Sequence, residues 1–133
     1  MTPSEYQNPI LCADYSDPDI VRVGDDFFMV SSSFNHVPAL PILHSTDLVN
    51  WTIINHVMDE LPLPGYDRYQ PGKGVWAPSI RWHDGKLWVC FSTPDEGIFI
   101  CHTEDPWGEW SAPHCLREAR GWIDPCPFWD DNG

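Results

Sequence analysis

The chain reads as an all-β fold, and more narrowly as part of a β-propeller, on three observations. Fourteen prolines and nine glycines punctuate its 133 residues, and no window of about 12 residues keeps a helical apolar period free of them. A proline-headed segment is written three times, as Asp17-Pro18-Asp19-Ile20-Val21-Arg22-Val23, Ala77-Pro78-Ser79-Ile80-Arg81-Trp82-His83 and Asp124-Pro125-Cys126-Pro127-Phe128-Trp129. The strands predicted around these segments fall in fours, at a repeat of roughly 40 to 60 residues, the spacing of propeller blades.

Each proline-headed copy runs into a turn: Gly24-Asp25-Asp26, Asp84-Gly85 and Asp131-Asn132-Gly133. That is a strand opening a hairpin. Proline at the first position of a strand gives up no ladder hydrogen bond that the strand needs. Two of the three openings carry Asp, and if rotation about an axis relates the copies, the Asp17 and Asp124 carboxylates face one central space.

In chain order, residues 1–16 form a lead-in, with Asn8-Pro9-Ile10-Leu11 predicted as a short edge strand. Strands are predicted at 19–23 and 26–32, followed by a loop holding Phe34, Asn35, His36, Val37 and Pro38. Strands at 40–45 and 51–57, joined by Thr46-Asp47-Leu48-Val49-Asn50, complete an antiparallel four. A loop rich in Pro and Gly covers 58–74, and the unit then repeats with strands at 78–82, 86–92, 97–103 and 110–116. The register follows residue by residue: His44-Ser45-Thr46-Asp47 corresponds to His102-Thr103-Glu104-Asp105 at an offset of 58, and Trp51 to Trp110 at 59. Ala77 follows Asp17 by 60, and Asp124 follows Ala77 by 47. Blade 1 is therefore placed at about 17–57, blade 2 at about 77–116 and the start of blade 3 at about 123–133, within one incomplete domain. Two blades and a fraction do not close a ring of roughly four to eight. The chain is expected to be the N-terminal part of a longer protein.

Composition narrows the partners. A formal charge of -13 with only seven Lys and Arg excludes a nucleic-acid partner, whose phosphates demand cations, and suits a neutral substrate. No apolar run reaches membrane-spanning length, and residues 1–7 have neither the basic nor the apolar region of a signal peptide. Cys12, Cys90, Cys101, Cys115 and Cys126 are odd in number and form no CxxC pair, so free thiols in a reducing, cytoplasmic compartment are expected. Cys90 and Cys101 lie in apolar strands and read as small core residues. No His or Cys spacing suggests zinc.

With those residues in view, the chain resembles glycoside hydrolase family 43, the five-bladed propeller glycosidases, and among them the β-xylosidase and α-L-arabinofuranosidase members. The resemblance rests on Asn8-Pro9-Ile10-Leu11 leading to Asp17-Pro18, on Val23-Gly24-Asp25-Asp26-Phe27-Phe28, and on His44-Ser45-Thr46-Asp47-Leu48-Val49-Asn50-Trp51. It continues through Gly74-Val75-Trp76-Ala77-Pro78 and Asp84-Gly85-Lys86-Leu87-Trp88 to Ile123-Asp124. These blocks run in order over nearly the whole chain.

The resemblance implies release of xylose or arabinose from short oligosaccharides with inversion. Asp17 then occupies the position of the general base, and Asp124 that of the carboxylate that orients the acid and tunes its pKa. The general acid is a Glu from a later blade; Glu96, Glu104, Glu109 and Glu118 do not stand at strand openings, so none is assigned. Inversion needs one carboxylate to activate water and one carboxylic acid to protonate the leaving oxygen, roughly 6.5 to 9.5 Å apart. Phe34 and Trp76 are expected to present rings to the apolar side of a bound pentose. His36 is a weaker binding candidate, with a loop histidine in solvent as its plainer reading. No cofactor is expected: the resemblance implies a calcium or a water cluster on the propeller axis through a later histidine, and these residues supply no metal ligand set.

The other repeated residues have structural readings. His44, His102, Asp47, Asp105, Trp51 and Trp110 read as devices for ending a third strand and packing a fourth. Asp14 and Asp19 are expected to make turn hydrogen bonds or to lie at a pocket rim, and Asp25, Asp26, Asp84, Asp130 and Asp131 to sit at hairpin tips. Two other functions fit the same pattern: a carbohydrate-binding propeller without catalysis, which the absence of a Glu opening the next blade would favour, and a protein-interaction propeller, which would show no affinity for pentoses.

Overall fold

In a computed structural model, which describes residues 5–34 and 36–131, the chain forms eight strands in two antiparallel sheets of four. The first sheet is β1 (Asp19–Val23), β2 (Asp26–Val30), β3 (Ala39–Ser45) and β4 (Thr52–Met58), ordered as in the sequence. The second is β5 (Ser79–His83), β6 (Lys86–Thr93), β7 (Gly97–Thr103) and β8 (His114–Glu118), ordered the same way. Both are meanders, the form of a propeller blade.

Local chemistry sets the hairpins. Val23 pairs with Asp26 across Gly24-Asp25, and His83 with Lys86 across Asp84-Gly85. Asp84 and Gly85 both have positive φ, 49° and 74°, the backbone that lets a two-residue turn follow the right-handed twist of its strands. The offset of 58 is visible as hydrogen bonds at the ends of β3 and β7. The amide of Asp47 donates to Ser45 Oγ at 3.1 Å, and that of Asp105 to Thr103 Oγ1 at 3.1 Å. Asp47 Oδ1 accepts from the amides of Val49 and Asn50, and Asp105 Oδ1 from that of Trp107. Donors from Asn50 and Val49 hold the Asp47 carboxyl well below the usual range.

One apolar core runs through both sheets. Phe28, Val30, Leu40, Ile42 and Val57 of the first meet Ile80, Leu87, Val89, Phe91, Phe99 and Cys101 of the second, with β1 alongside β5. Phe91 and Phe99, cross-strand partners on β6 and β7, stack at 5.5 Å. Farther out, Asn55 Nδ2 on β4 donates to the carbonyls of Pro106 (3.1 Å) and Gly108 (2.7 Å). Trp107 between them lies edge-on to Phe28 at 5.7 Å. The blades are thus joined both through their first strands and through the outer strand β4.

Two predicted elements differ. Asn8-Pro9-Ile10-Leu11 is not a strand: Asn8, Pro9 and Ile10 are exposed, and no described strand pairs with this stretch. The eighth strand begins at His114 rather than 110, because Ser111 and Pro113 carry the chain across β7 before a regular ladder starts; the Ser111 amide donates to the His102 carbonyl at 2.9 Å. The predicted loop position of Asn35 and the Asn132-Gly133 end of the third turn lie outside the described residues. No described helix is long and apolar enough to cross a membrane.

Candidate active site

Asp17 stands two residues before β1, opposite Ser32 just past the end of β2. The backbones of Ser16 and Ser32 are tied by a bond from the Ser32 amide to the Ser16 carbonyl at 3.1 Å. Ser32 Oγ donates toward both the Ser16 carbonyl (3.0 Å) and Asp17 Oδ2 (3.2 Å). Its single proton being so engaged, the 2.6 Å contact between the two serine hydroxyls takes its proton from Ser16 Oγ. Asp17 itself is exposed while Ser32 is buried. A fixed hydroxyl thus orients a carboxylate that keeps an open side to solvent.

Asp17 has φ 51° and Asp124 has φ 54°. Both precede proline. A non-glycine residue there is pushed toward extended backbone, so a left-handed conformation is strained. Strain of this kind, of order 1 to 3 kcal/mol, concentrates where side-chain direction matters more than comfort. Asp124 is also exposed, and its neighbour Pro125 is anchored by Ser79 Oγ, which donates to the Pro125 carbonyl at 2.7 Å.

The second blade has the same frame without the carboxylate. Ala77 replaces Asp17 at an offset of 60, as Ser92 matches Ser32, and one bond from the Trp76 amide to the Ser92 carbonyl (2.9 Å) ties that pair. Ala77 is not among the positive-φ residues. Ser92 Oγ is fully buried with no hydrogen-bond partner among the described residues.

An antiparallel bridge between Ser33 and Val75, with the Ser33 amide donating to the Val75 carbonyl at 3.0 Å, joins the loops that carry Phe34 and Trp76 and sets Gly74 against the Phe34 backbone. Gly74 makes the approach possible: its φ is 108°, and a Cβ on it would lie 2.6 Å from the Phe34 carbonyl oxygen. The Trp76 indole is held by the Gly72 carbonyl at 3.1 Å. Phe34 and His36 line a cavity of about 260 Å³ whose far wall is Tyr66, Arg68, Tyr69 and Gln70. Asp17, Trp76 and Asp124 lie outside that lining.

Several roles were not read from the sequence. Asp19 leaves the turn and reaches the next blade, accepting from the Ile80 amide (2.9 Å) and Arg81 Nη1 (2.5 Å). Asp26, read as a hairpin tip, meets His44 Nε2 at 2.7 Å. Tyr66 hydroxyl donates to Glu96 Oε2 at 3.2 Å; burial first, then the Glu96 charge, pushes its phenol up to about 12. The alternation Tyr66-Asp67-Arg68-Tyr69 inside a Pro- and Gly-rich loop was the available hint. Cys90 and Cys101 are buried thiols, and no group of three or more His, Cys, Asp or Glu is placed to hold a metal among the described residues.

The model of glycosyl hydrolases family 43 matches residues 6–133. A putative β-xylosidase of Xylanibacter ruminicola is 41% identical over 129 residues, covering 96% of this chain and 24% of that protein. A xylosidase/arabinosidase of Butyrivibrio fibrisolvens is 42% identical over 132 residues, covering 95% of this chain and 25% of that protein. The solved structure of the GH43 BlXynB protein from Bacillus licheniformis superposes with a TM-score of 0.84 at 32% identity, over 96% of this chain and 27% of the other. The chain therefore spans about a quarter of the length of the curated relatives it matches.

Proposed function

The chain belongs to glycosyl hydrolases family 43 and supplies two blades and the entry to a third of a five-bladed propeller, and on that premise we propose that the whole protein is an inverting exo-glycosidase that removes xylose or arabinose from oligosaccharides. Asp17 is the general base. Its carboxylate accepts a proton from water as that water attacks the anomeric carbon from the face opposite the leaving oxygen. Asp124 lies beside the acid and, by like-charge repulsion, keeps that acid protonated near neutral pH. The acid itself comes from outside these 133 residues, since Glu96, Glu104, Glu109 and Glu118 all lie away from strand openings. Phe34 and Trp76 offer ring faces to the sugar, with His36 at the adjoining cavity.

The observation that carries this reading is the shared strained backbone of Asp17 and Asp124 at two equivalent openings, set against the relaxed Ala77 at the third. A scaffold that needed only strand entries would have no use for the strain.

The test is made on the full-length protein. Asp17→Asn should keep the fold and lower turnover of an aryl xyloside or arabinofuranoside by about 10² to 10⁴-fold. Proton NMR of the wild-type reaction should show the first-formed sugar with the anomeric configuration opposite to the substrate's. Near-normal turnover by Asp17→Asn removes the base assignment, and a retained configuration removes the mechanism.

A further inference from the structure

The hairpin between β6 and β7 reaches out at Pro94-Asp95-Glu96 and there holds two segments that are distant in sequence. Asp95 Oδ2 receives Lys73 Nζ at 2.6 Å. Asp95 Oδ1 receives Arg120 Nε at 2.9 Å and Nη2 at 2.8 Å. The rest of the tip repeats both attachments. On one side the Tyr66 hydroxyl donates to Glu96; on the other the Gly121 amide donates to the Pro94 carbonyl at 3.0 Å and the Ala119 amide to the Glu96 carbonyl at 3.3 Å. Gly97 closes the hairpin at φ 140°, where a Cβ would meet the Arg117 carbonyl oxygen at 2.0 Å, so the tip and the 117–121 segment are in backbone contact.

What the two segments carry gives the arrangement its meaning. Lys73 immediately precedes Gly74-Val75-Trp76, the run that packs on the Phe34 backbone and bridges to Ser33. Arg120 lies four residues before Asp124, whose other flank is fixed by Ser79 through Pro125. We propose that Asp95 is a positioning residue for the reaction: through Lys73 it sets the aromatic wall of the sugar site, and through Arg120 it sets the segment that presents Asp124. This rests on the roles given to Trp76 and Asp124 above. The two cations hold the Asp95 carboxyl below its ordinary range, Lys73 contributing first, so the clasp stays charged near neutrality. Both ion pairs are partly exposed and add little to global stability, which directs their effect to local geometry.

The experiment is a kinetic split in the full-length protein with an aryl xyloside or arabinofuranoside. Lys73→Met should raise KM about tenfold with kcat within about twofold, the result of weakening a contact made equally to substrate and transition state. Arg120→Met should lower kcat about tenfold with KM little changed, since small displacements of catalytic groups cost rate. Asp95→Asn should show both effects, and combining it with Lys73→Met should add no further rise in KM. The two single cation variants each remove one partly exposed side chain, so they carry the test even if Asp95→Asn folds poorly.

The proposal is overturned if all three variants keep both constants within about twofold of wild type, or if Lys73→Met and Arg120→Met change kcat and KM alike. Asp17→Asn in the same series separates the two readings. If it also leaves turnover intact, the active-site assignment fails; if it abolishes turnover while the three variants behave as wild type, the clasp alone falls.

Discussion

Arg81 Nη1 lies 2.5 Å from Asp19 Oδ2, and Arg81 Nη2 lies 2.9 Å from Cys126 Sγ. One guanidinium on β5 thereby touches the openings of all three proline-headed segments. Asp19 Oδ2 also accepts the amide of Ile80, a fully buried residue, so this carboxylate serves the charge and the backbone of the next blade together.

The two partners should differ in cost. Arg81→Met removes an ion pair whose side chains are each about a third exposed, and solvent screening holds its loss to about 1 kcal/mol. Asp19→Ala strips the Ile80 amide of its acceptor as well, and an unsatisfied buried donor adds a penalty for a total of about 2 to 3 kcal/mol. Denaturant midpoints of the full-length variants, compared at constant slope, check the order; an equal or greater loss for Arg81→Met contradicts it.

Gly74→Ala should disturb the junction of the two loops at the sugar site proposed above. The new methyl would stand 2.6 Å from the Phe34 carbonyl oxygen on a backbone at φ 108°, so the Ser33–Val75 bridge must open and the two loops that carry Phe34 and Trp76 must move apart. A rise in KM of about tenfold or more for the aryl glycoside is the expected result. Unchanged kinetics would mean that the bridge does not position either ring for the sugar.

The buried thiols should be inert in the folded protein. Burial pushes Cys90 up to about 11 and Cys101 up to about 12, leaving almost no thiolate at pH 8. Mass spectrometry after treatment with a maleimide should find both unmodified in native protein and both modified after denaturation.

Acid should weaken the fold through His56. Burial first, and then the neighbouring His36, lower its pKa from 6.5, against a smaller opposing pull from Asp59. The folded pKa is depressed, so the unfolded chain binds more protons between the two values and stability rises with pH. The contribution is complete above 6.5 and is lost as pH falls through the folded pKa. Denaturant midpoints at about pH 7.5 and 5.5 should differ less in His56→Gln than in wild type, and less in His36→Gln as well.

Much of the frame was legible because it repeats. Strand positions and the offset of 58 came from local rules, namely turn residues, alternation and the Ser/Thr-x-Asp stop, each satisfied by atoms within a few residues. What escaped depends on distance in the chain. Asp19 looks like a turn residue until Ile80 and Arg81 arrive 61 and 62 positions later. The approach of Gly74 to the Phe34 backbone needs a bridge between two loops, where no periodicity operates, and the Asp95 clasp joins a loop, a hairpin tip and a linker. The Asn8-Pro9-Ile10-Leu11 stretch failed for the converse reason, since its local pattern suits a strand and no described partner lies beside it.

Ser92 has a last consequence. Its unpartnered hydroxyl stands at the position equivalent to Ser32, on a spoke that carries Ala77 where the first carries the Asp17 carboxylate. The scaffold is common to both spokes, and what differs at this opening is whether a carboxylate or a methyl group is mounted on it.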